Sequence, residues 1–248
     1  MKALITGASS GIGKDFAKIL SQNYDELILV ARDEKRLEQV KKELEDIVSV
    51  KTISIDLSDY NNCIKLFNDN KDVDLLINNA GFGDCGYFEK TSLDKDIDMI
   101  NTNITAVHTL TKLYLNEMLK NNKGHILNVA SIAAFVPGPL MATYYSTKSY
   151  VLKLSESIKE ELKHKNTNVK ISVLCPGPVK TNFEKTANVE FQISKADSYK
   201  VAKYAIKHLN RFYITPGLGV KLTSVLSKIV PNCLISKFIY KAQKRRIR

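Results

Sequence analysis

This chain has few cysteines and no long apolar segment. The cysteines are dispersed, with no CxxC pair and no metal-ligand spacing; they are Cys63, Cys85, Cys175 and Cys233. This pattern predicts reduced thiols in a cytoplasmic protein and no metal site. Because no uncharged apolar run approaches ~18 residues, we expect no membrane-spanning helix. Strand-like residues 2–5 run directly into a glycine-rich turn, so we also expect no signal peptide.

Acidic residues are absent from the last part of the chain. The 248 residues carry a formal net charge of +11, yet residues 1–197 hold 25 Lys and Arg against 26 Asp and Glu. Residues 198–248 hold 12 Lys and Arg and no acid. Such a basic segment suggests nucleic acid, anionic lipid or an acidic protein as a partner. The overall composition, 44% hydrophobic and 25% charged, is that of a globular protein and excludes a disordered chain.

Short apolar runs alternate with helical patterns along the chain. Most of these runs are continuous, as in strands that are covered on both faces. The alternation predicts a single doubly wound α/β domain of the Rossmann type, with a parallel seven-stranded sheet and helices on both faces. We assign residues 1–215 to this catalytic domain and residues 216–248 to a C-terminal extension. The predicted strands are 2–5, 26–30, 50–55, 75–77, 126–130, 169–174 and 212–214, and the predicted helices include 33–46, 94–120 and 144–163.

A glycine-rich turn over residues 6–13 joins the first strand to the first helix. Gly7 permits a tight turn, Gly11 lets the backbone approach a pyrophosphate, and Gly13 allows the helix to pack closely on the strand. The helix N-terminus would offer its free N–H groups to the phosphates. The strand-turn-helix context favours a dinucleotide site over a purely structural turn. The expected cofactor contacts here are Gly7, Ser9, Ser10, Gly11 and Ile12.

The end of the second strand indicates which dinucleotide is bound. A carboxylate at this place would hold the ribose hydroxyls of NAD. This chain has Ala31 there, followed by Arg32, and a guanidinium can bind the 2′-phosphate of NADP. The adjacent Asp33 could partly neutralise Arg32, and a solvated helix-start role for Arg32 is the alternative. We therefore expect NADP (NADPH) as the cofactor.

Tyr144 and Lys148 lie four residues apart on a predicted helix, so their side chains share one face. A free tyrosine titrates near ~10, and a nearby ammonium would lower the pKa of Tyr144. Tyr144 could then act as a general acid toward a carbonyl or as a base toward an alcohol. Taken alone, a Tyr-x-x-x-Lys pair would more readily be interpreted as a surface pair on a helix. Tyr145 lacks such a partner, because Ser149 lies four residues further on.

Together these motifs resemble the short-chain dehydrogenase/reductase family over roughly residues 2–215. The resemblance is closest to its NADP-dependent ketone and 3-oxoacyl reductases. It implies hydride transfer between NADP(H) and a carbonyl or secondary alcohol of a small-molecule substrate. It also implies a homo-oligomer, either a dimer or a tetramer. The elements that carry it, in the family's order and spacing, are the turn at 6–13, Asn78-Asn79-Ala80-Gly81, Ser131, Tyr144-x-x-x-Lys148 and Pro176-Gly177.

The resemblance implies four catalytic residues. Ser131 would polarise the substrate oxygen, Tyr144 would transfer the proton, and Lys148 would tune Tyr144 and bind the nicotinamide ribose. Asn103 would hold a water that continues the proton relay. Asn101 and a helix-packing role for Asn103 are the alternatives at that position.

Further cofactor contacts follow from the same resemblance. Asp56 and Leu57 would lie near the adenine, although Asp56 could also be the N-cap of the next helix. Residues after the fourth strand would pack against the adenosine side, and residues after the sixth strand would meet the nicotinamide carboxamide. A mobile substrate lid is implied over residues 183–195. These remaining contacts are Asn78, Ala80, Gly81, Pro176, Gly177, Val179 and Thr181.

The residues expected to rim the substrate pocket are apolar, which fits a lipophilic ketone, aldehyde or acyl chain. They are Phe82, Tyr87, Phe88, Ile132, Ala133, Phe135, Val136, Leu140, Met141 and Phe183. A catalytically silent NADP-binding protein, acting in regulation or at a membrane surface, is the alternative to an enzyme. The intact Ser131, Tyr144 and Lys148 favour the enzyme.

The basic end of the chain contains two apolar stripes at helical spacing, over residues 222–230 and 234–242. Lysines fall largely between the apolar positions, which predicts two short basic amphipathic helices. They could pack on the domain or on a second copy, or contact a membrane surface. No aromatic nucleic-acid signature accompanies them, so we expect no nucleic-acid partner. The predicted location is cytoplasmic, with membrane association left open.

Overall fold

The computed structural model describes residues 1–189, 194–227 and 229–244. Its strands form one parallel seven-stranded sheet in the order β3-β2-β1-β4-β5-β6-β7, which confirms the predicted Rossmann-type fold. The strands are β1 Lys2–Thr6, β2 Glu26–Ala31, β3 Ser49–Ser54, β4 Leu75–Asn78, β5 His125–Val129, β6 Lys170–Leu174 and β7 Tyr213–Ile214.

Helices connect these strands and pack on both faces of the sheet. A 3₁₀ turn, Ile132–Phe135, follows β5, and another spans Phe88–Lys90. The helices are α1 Gly11–Leu20, α2 Glu34–Leu44, α3 Tyr60–Asn68, α4 Leu93–Ile100, α5 Ala106–Lys120, α6 Ala142–Lys163, α7 Phe183–Thr186, α8 Ser198–Lys207, α9 Leu218–Leu226 and α10 Asn232–Lys244.

The two faces of the sheet build two separate parts of the core. In β1, Ala3 and Ile5 pack in the core with α1, α2 and α8, while Leu4 packs with α3 and α5 on the opposite face. Successive side chains of a strand point to opposite faces, so a strand covered on both faces must be apolar throughout. β3 lies at the sheet edge and alternates exposed with half-buried residues, because less structure covers it.

The helix predicted over 94–120 is interrupted in its middle. α4 passes through a π-helical turn, Asn101–Thr105, before α5 begins. The N–H group of Ala106 donates to the carbonyl oxygen of Asn101 across this turn. Asn103 lies within this wider turn, so its side chain points in a different direction from that in a regular α-helix.

The basic end of the chain forms α9 and α10. α9 ends at Leu226, so the first apolar stripe, predicted to continue to residue 230, is helical only in part. α10 spans the whole second stripe. Within the described ranges, no helix is both long and apolar enough to cross a membrane.

The sheet order reverses between β1 and β4, which lie side by side. The connections after these two strands leave in opposite directions and open a crevice at the carboxyl ends of the strands. The glycine-rich turn after β1 and residues 79–82 after β4 border this crevice. The fold therefore places the candidate site at the edge where its strands end.

Candidate active site

A cleft of about 560 Å³ lies at the carboxyl ends of the strands. Residues from the loops after β1 to β6 and from α6 and α10 line it. Asn78 and Asn103 are the two predicted site residues that lie behind this lining. The predicted site residues that line the cleft are Gly7, Ser9, Ser10, Gly11, Ile12, Arg32, Asp56, Leu57, Ala80, Gly81, Ser131, Tyr144, Lys148, Pro176, Gly177, Val179 and Thr181.

The turn between β1 and α1 has the geometry of a phosphate cradle. Gly7 and Gly11 adopt φ values of +66° and +54°, which favour glycine. A Cβ at Gly13 would lie 2.2 Å from the carbonyl oxygen of Gly7, so a larger residue would push α1 away. Ser10, Gly11 and Ile12 line the cleft at the start of α1. The first N–H groups of this helix are thus placed to bind a phosphate.

Thr6 and Asn79 tie this turn to the loop after β4. The Thr6 hydroxyl oxygen accepts hydrogen bonds from the backbone N–H groups of Asn79 and Ala80, each at 2.9 Å. The Asn79 amide donates to the carbonyl oxygen of Thr6 at 3.0 Å. Sequence reasoning assigned neither residue a role, although polar side chains at two neighbouring strand ends were the available signal.

Arg32 stands at the end of the cleft formed by the loops after β2 and β3. Its Nη1 lies 3.7 Å from Oδ2 of Asp56, with the two side chains 64% and 46% exposed. Asp33 instead pairs with Arg36: its Oδ1 accepts a hydrogen bond from the backbone N–H of Arg36 at 3.0 Å, and its Oδ2 lies 3.2 Å from Nε of Arg36 in an ion pair. The acid that faces Arg32 is therefore Asp56 and not Asp33.

Asp56 is held in place by its own loop. Its Oδ1 accepts a hydrogen bond from the backbone N–H of Ser58 at 2.9 Å. Partial burial works to raise the pKa of Asp56, but the hydrogen bonds from Ser58 and the charge of Arg32 lower it overall. The N-cap of α3 is Asp59, which accepts from the backbone N–H of Asn61 at 2.8 Å. The alternative of a helix cap at Asp56 is therefore wrong.

Asn78 supports the cleft from beneath. It is buried, and its Nδ2 donates to Oγ1 of Thr111 at 3.0 Å and to Oδ1 of Asn128 at 2.9 Å. Asn78 shares the strand face of Leu76, which packs against α5. The Asn78 side chain therefore points into the layer between sheet and helix, and a cofactor contact at Asn78, which would have to use its backbone, stays a prediction.

Ser131 and Tyr144 meet in the cleft. Ser131 follows β5 and begins a 3₁₀ turn, where its Oγ accepts from the backbone N–H of Ala133 at 3.1 Å. Tyr144 lies in the first turn of α6 and lines the same cleft, near enough to Ser131 for that side chain to influence its pKa. The rings of Tyr144 and Phe183 pack with their centroids 5.1 Å apart. A substrate oxygen placed at the two hydroxyls would find two donors aimed at developing negative charge.

Lys148 is buried one helical turn after Tyr144. Its Nζ donates to the carbonyl oxygen of Val129 at 3.0 Å and lies 6.0 Å from the centroid of the Tyr144 ring. Burial lowers the pKa of Lys148 to about 8. An ammonium has three N–H donors, so Lys148 keeps donors for a ligand besides the one that binds Val129.

The structure corrects the expected direction of the shift at Tyr144. Burial of the hydroxyl raises the pKa of Tyr144 to about 12, and the Ser131 side chain offsets this only in part. The protein's own groups thus raise this pKa overall, and the Lys148 ammonium, which is anchored to the carbonyl oxygen of Val129, is not among the groups that lower it. Tyr144 is protonated at neutral pH, which is the form that a general acid needs.

Asn103 joins three parts of the site. Its Oδ1 accepts from the backbone N–H of Phe82 at 3.1 Å, and its Nδ2 donates to the Phe82 carbonyl oxygen at 2.9 Å and to Oγ1 of Thr147 at 3.0 Å. A Cβ at Gly81 would lie 2.8 Å from this Oδ1 and 3.3 Å from Nζ of Lys148. The side chain therefore fills the packing role that was the alternative, and a part in the proton relay stays a prediction.

The loop after β6 approaches the glycine-rich turn from the other side of the cleft. Val179 pairs with Ala196 in a parallel bridge, and Oγ1 of Thr181 accepts from the backbone N–H of Phe183 at 3.2 Å. A Cβ at Gly11 would lie 2.9 Å from Cγ2 of Thr181. The predicted nicotinamide contacts and the predicted phosphate contacts therefore face each other.

The apolar rim is smaller than the sequence predicts. Of its expected members, Phe88 is 70% exposed and Phe135 packs with the core beside α6. Of the lid implied over 183–195, residues 190–193 lie outside the described residues. The rim residues that line the cleft are Phe82, Ile132, Ala133, Met141 and Phe183.

α10 covers part of the cleft, which residue patterns alone did not indicate. Phe238, Ile239, Ala242 and Gln243 line the cleft. Nε2 of Gln243 donates to the hydroxyl oxygen of Tyr145 at 3.0 Å. Of the alternatives for the basic end, packing on the domain therefore holds for this face of α10. The apolar stripe at 234–242 was the signal for an inward face, but nothing in the sequence singled out Gln243.

Two solved structures are similar to this chain over almost its whole length. A short-chain dehydrogenase from Sphingobium yanoikuyae in complex with NADPH has a TM-score of 0.83 at 25% identity, over 93% of this chain and 96% of that one. A short chain dehydrogenase/reductase from Burkholderia phymatum in complex with NAD has a TM-score of 0.83 at 26% identity, over 91% of this chain and 92% of that one.

Curated relatives point the same way. An uncharacterized oxidoreductase of Staphylococcus saprophyticus is 36% identical over 207 residues, 82% of this chain and 83% of that protein. A very-long-chain 3-oxoacyl-CoA reductase of Phaeosphaeria nodorum is 36% identical over 178 residues, 67% of this chain and 52% of that protein. The sequence profile of the family described as short chain dehydrogenase matches residues 1–191. With that span, this fold and these relatives, the chain belongs to the short-chain dehydrogenase family of oxidoreductases.

Proposed function

We propose that this protein is an NADP(H)-dependent reductase that transfers a hydride between nicotinamide and a carbonyl or secondary alcohol carbon. The observation that carries the proposal is the meeting of Ser131, Tyr144 and Lys148 in the cleft that the glycine-rich turn also lines. When bound, NADPH supplies the hydride. The chain's own residues bind and orient both reactants and move the proton.

The cleft has a binding group for each part of the dinucleotide. The start of α1 would bind the pyrophosphate, and Arg32 would bind the 2′-phosphate at the far end. Asp56, within reach of Arg32, would lie beside the adenine. The backbone of Val179 and the hydroxyl of Thr181 would hold the nicotinamide carboxamide, which decides the ring face turned toward Tyr144.

The groups beside that face of the nicotinamide ring would transfer the proton. In reduction, Tyr144 donates its phenolic proton to the substrate oxygen while Ser131 donates a hydrogen bond to the same oxygen. The buried ammonium of Lys148 would bind the nicotinamide ribose, and it would stabilise the resulting phenolate once it turns from the Val129 carbonyl toward the Tyr144 hydroxyl. A water held near Asn103 would return a proton through Lys148. In oxidation the same residues act in the reverse order.

Arg32 is the reason to choose NADP over NAD. The solved relatives bind NADPH in one case and NAD in another. In this chain the end of β2 carries Ala31 and then an exposed guanidinium, with Asp33 turned toward Arg36. In this arrangement the Arg32 guanidinium is available to bind a phosphate, and Asp56 neutralises its charge only in part. Preference for NADP favours the reductive direction in the cell.

The substrate that fits the lining best is a lipophilic ketone, aldehyde or 3-oxoacyl compound. The substrate side of the cleft is formed by Phe82, Ile132, Met141 and Phe183, and by Phe238 from α10. Apolar walls favour apolar chains by burial of their surface. The curated relative in Phaeosphaeria nodorum, named as a 3-oxoacyl-CoA reductase, supports the acyl option.

A screen of NADPH oxidation over ketones, aldehydes and 3-oxoacyl thioesters tests the proposal. We expect turnover in at least one class, and slower turnover with NADH. A catalytically silent NADP-binding protein is the competing function. That protein would bind NADPH by calorimetry and oxidise it with none of the three classes.

We further propose a cytoplasmic protein that touches anionic membranes through α9 and the adjoining turn. Large apolar side chains are exposed there, including Leu222, Val225 and Ile229 at 59%, 54% and 74%. Basic residues surround them, with no acid after Asp197. Apolar side chains flanked by lysines fit the interface of an anionic bilayer. A dimer or tetramer, which sizing chromatography would detect, also remains our expectation.

A further inference from the structure

We propose that α10 supplies a substrate-recognition residue, Gln243, whose amide oxygen accepts a hydrogen bond from a donor group on the substrate. The donor is a hydroxyl or an amide N–H located away from the reacting carbonyl. The inference rests on the proposed function, because it assigns the substrate end of the same cleft.

The first observation is an unpaired acceptor. Gln243 is 1% exposed, yet it lines the cleft. Its Nε2 donates to the hydroxyl oxygen of Tyr145 at 3.0 Å, whereas its Oε1 is buried with no hydrogen-bond partner among the described residues. A buried acceptor without a partner is unfavourable, and native proteins rarely keep one. A bound substrate with a donor group would satisfy it.

The second observation is how rigidly this amide is placed. Tyr145 follows the catalytic tyrosine, and the rings of Tyr144 and Tyr145 are in edge contact with centroids 6.1 Å apart. A Cβ at Gly138 would lie 2.1 Å from Cγ of Tyr145, so the ring is seated directly on that glycine. Tyr145 is thus a positioning residue that holds the Gln243 amide at a set place relative to Tyr144.

A second tether holds α10 in the same place. The hydroxyl oxygens of Tyr240 and Tyr87 lie 3.2 Å apart, which joins α10 to the loop after β4. Phe238 and Ile239 line the cleft beside Gln243. The helix therefore presents an apolar wall with one polar group in it, the arrangement by which pockets orient a largely apolar ligand.

The orientation of the amide decides which ligand chemistry fits. With its N–H group bound to Tyr145, Gln243 offers the cleft an oxygen, which selects a donor. If the amide were turned over, the oxygen would accept from the Tyr145 hydroxyl and the cleft would meet an N–H, which selects an acceptor. Pairs of substrates in which one member can donate and accept, and the other can only accept, separate these two arrangements. Hydroxyketones carry an O–H, and 3-oxoacyl thioesters of amide-containing thiols carry an N–H.

The test compares kcat/KM for substrate pairs that differ in one donor. One pair is the N-acetylcysteamine thioester of 3-oxohexanoic acid and its N-methyl analogue, whose amide accepts but cannot donate. The other pair is 6-hydroxyhexan-2-one and 6-methoxyhexan-2-one, whose ether oxygen accepts but cannot donate. We expect the unmutated protein to prefer the donor in at least one pair, and the pair concerned identifies the source of the donor. Gln243→Met should lower this preference about three- to tenfold, mainly through KM, as expected for one neutral hydrogen bond.

Two further variants separate recognition from packing. Tyr145→Phe removes the hydrogen bond that holds the Gln243 amide, so it should also lower the preference for the substrate with a donor. This variant keeps the proposal testable if Gln243→Met does not fold. Ser236→Ala is the matched control on α10, since the Ser236 hydroxyl donates to the carbonyl oxygen of Asn232 one turn earlier and Ser236 lies outside the cleft lining. It should leave the preference unchanged. NADPH binding by calorimetry confirms that each variant is folded.

Three results would overturn the inference. They are an unchanged preference in folded Gln243→Met, no donor preference in the unmutated protein, or a preference for the acceptor-only member of a pair. If NADPH binds but no carbonyl is reduced, the proposed function fails on its own. Calorimetric affinity for the same compounds, with and without Gln243→Met, then still decides the role of Gln243.

Discussion

The Nζ atom of Lys148 lies 6.0 Å from the centroid of the Tyr144 ring while it donates a hydrogen bond to the carbonyl oxygen of Val129. The ammonium is anchored to β5 and faces the ring. Burial then governs both groups, raising the pKa of Tyr144 to about 12 and lowering that of Lys148 to about 8. At neutral pH the site holds a protonated acid beside a buried cation, and each can be tested separately.

Tyr144→Phe should lower kcat for carbonyl reduction by about 10²–10⁴-fold, because a general acid contributes that much. The affinity for NADPH should change little, since most of the expected cofactor contacts lie elsewhere in the cleft. Steady-state kinetics and calorimetry with NADPH measure the two effects. More than about half of the activity remaining would remove Tyr144 from this role.

The control for that variant is Tyr150→Phe, on the same helix. The hydroxyl of Tyr150 lies 2.7 Å from Nδ1 of His108, and Tyr150 is outside the cleft lining. It should keep the kcat of the unmutated protein. Tyr145→Phe, which the sequence alone suggests as the control, is unsuitable because the Tyr145 hydroxyl binds Gln243.

Lys148→Met should abolish turnover and stabilise the fold at neutral pH. Lys148 releases its proton at about pH 8 when folded, against ~10.4 when unfolded. In that window the unfolded chain binds more protons, so the contribution of Lys148 to the free energy of unfolding rises with pH. The burial cost of the ammonium is present in full below pH 8. Removing it should raise the free energy of unfolding by on the order of 2 kcal/mol at pH 7.

Denaturant titrations at pH 7 and pH 10 check this sign. The difference in the free energy of unfolding between Lys148→Met and the unmutated protein should be smaller at pH 10, because Lys148 is then uncharged in the folded protein. Lys153→Met is the matched control on α6, since the Lys153 side chain is 74% exposed and pairs only weakly with Glu156 at the surface. If Lys148→Met raised the free energy of unfolding equally at both pH values, the lowered pKa of Lys148 would be contradicted.

Arg32→Ala should reduce the preference for NADPH over NADH by about ten- to a hundredfold, mainly through the Kd of NADPH. A charge-assisted contact with the 2′-phosphate is worth roughly 1.5–3 kcal/mol, and removing it leaves the NADH contacts in place. Arg36→Ala is the control. Arg36 forms an ion pair with Asp33 and itself lies outside the cleft lining. Equal use of both cofactors by the unmutated protein would refute the assignment to Arg32.

Replacing exposed apolar residues of the basic end should weaken binding to anionic vesicles. Leu222→Ser combined with Ile229→Ser removes two side chains that are 59% and 74% exposed. Sedimentation with anionic vesicles should show binding by the unmutated protein at low salt, much less at high salt, and least for the double variant. Deleting residues from Pro216 onward is a poor test, because it also removes α10 from the cleft.

The matched control here is Ile47→Ser combined with Tyr60→Ser, since these side chains are 55% and 53% exposed on the neutral part of the chain. This variant should sediment with vesicles as the unmutated protein does. If the unmutated protein stays in the supernatant at low salt, the exposed face of α9 packs against a second copy instead. Sizing chromatography of the Leu222 and Ile229 variant would then show a smaller species.

Much of this molecule was determined by local sequence. The continuous apolar runs, the glycines at 7, 11 and 13 and the four-residue spacing of Tyr144 and Lys148 are short-range signals. Backbone sterics, strand pleating and helix periodicity act within a few residues, so they can be read directly. The sheet, the glycine-rich turn and the Tyr144–Lys148 pair followed from them, whereas Ser131 and Asn103 were assigned through the resemblance to a known family.

Tertiary structure decided the pKa shifts and the side-chain contacts of the site, because these depend on residues that are far apart in the chain. Burial set the direction of the pKa shift at Tyr144, and the turn at Asn101–Thr105 aimed Asn103 at Phe82 and Thr147. The partner of Arg32 proved to be Asp56, 24 positions away, instead of its neighbour Asp33. The bond from Gln243 to Tyr145 spans 98 positions. No local pattern encodes such contacts, since they exist only once the sheet brings the ends of its strands together and α10 folds back over them.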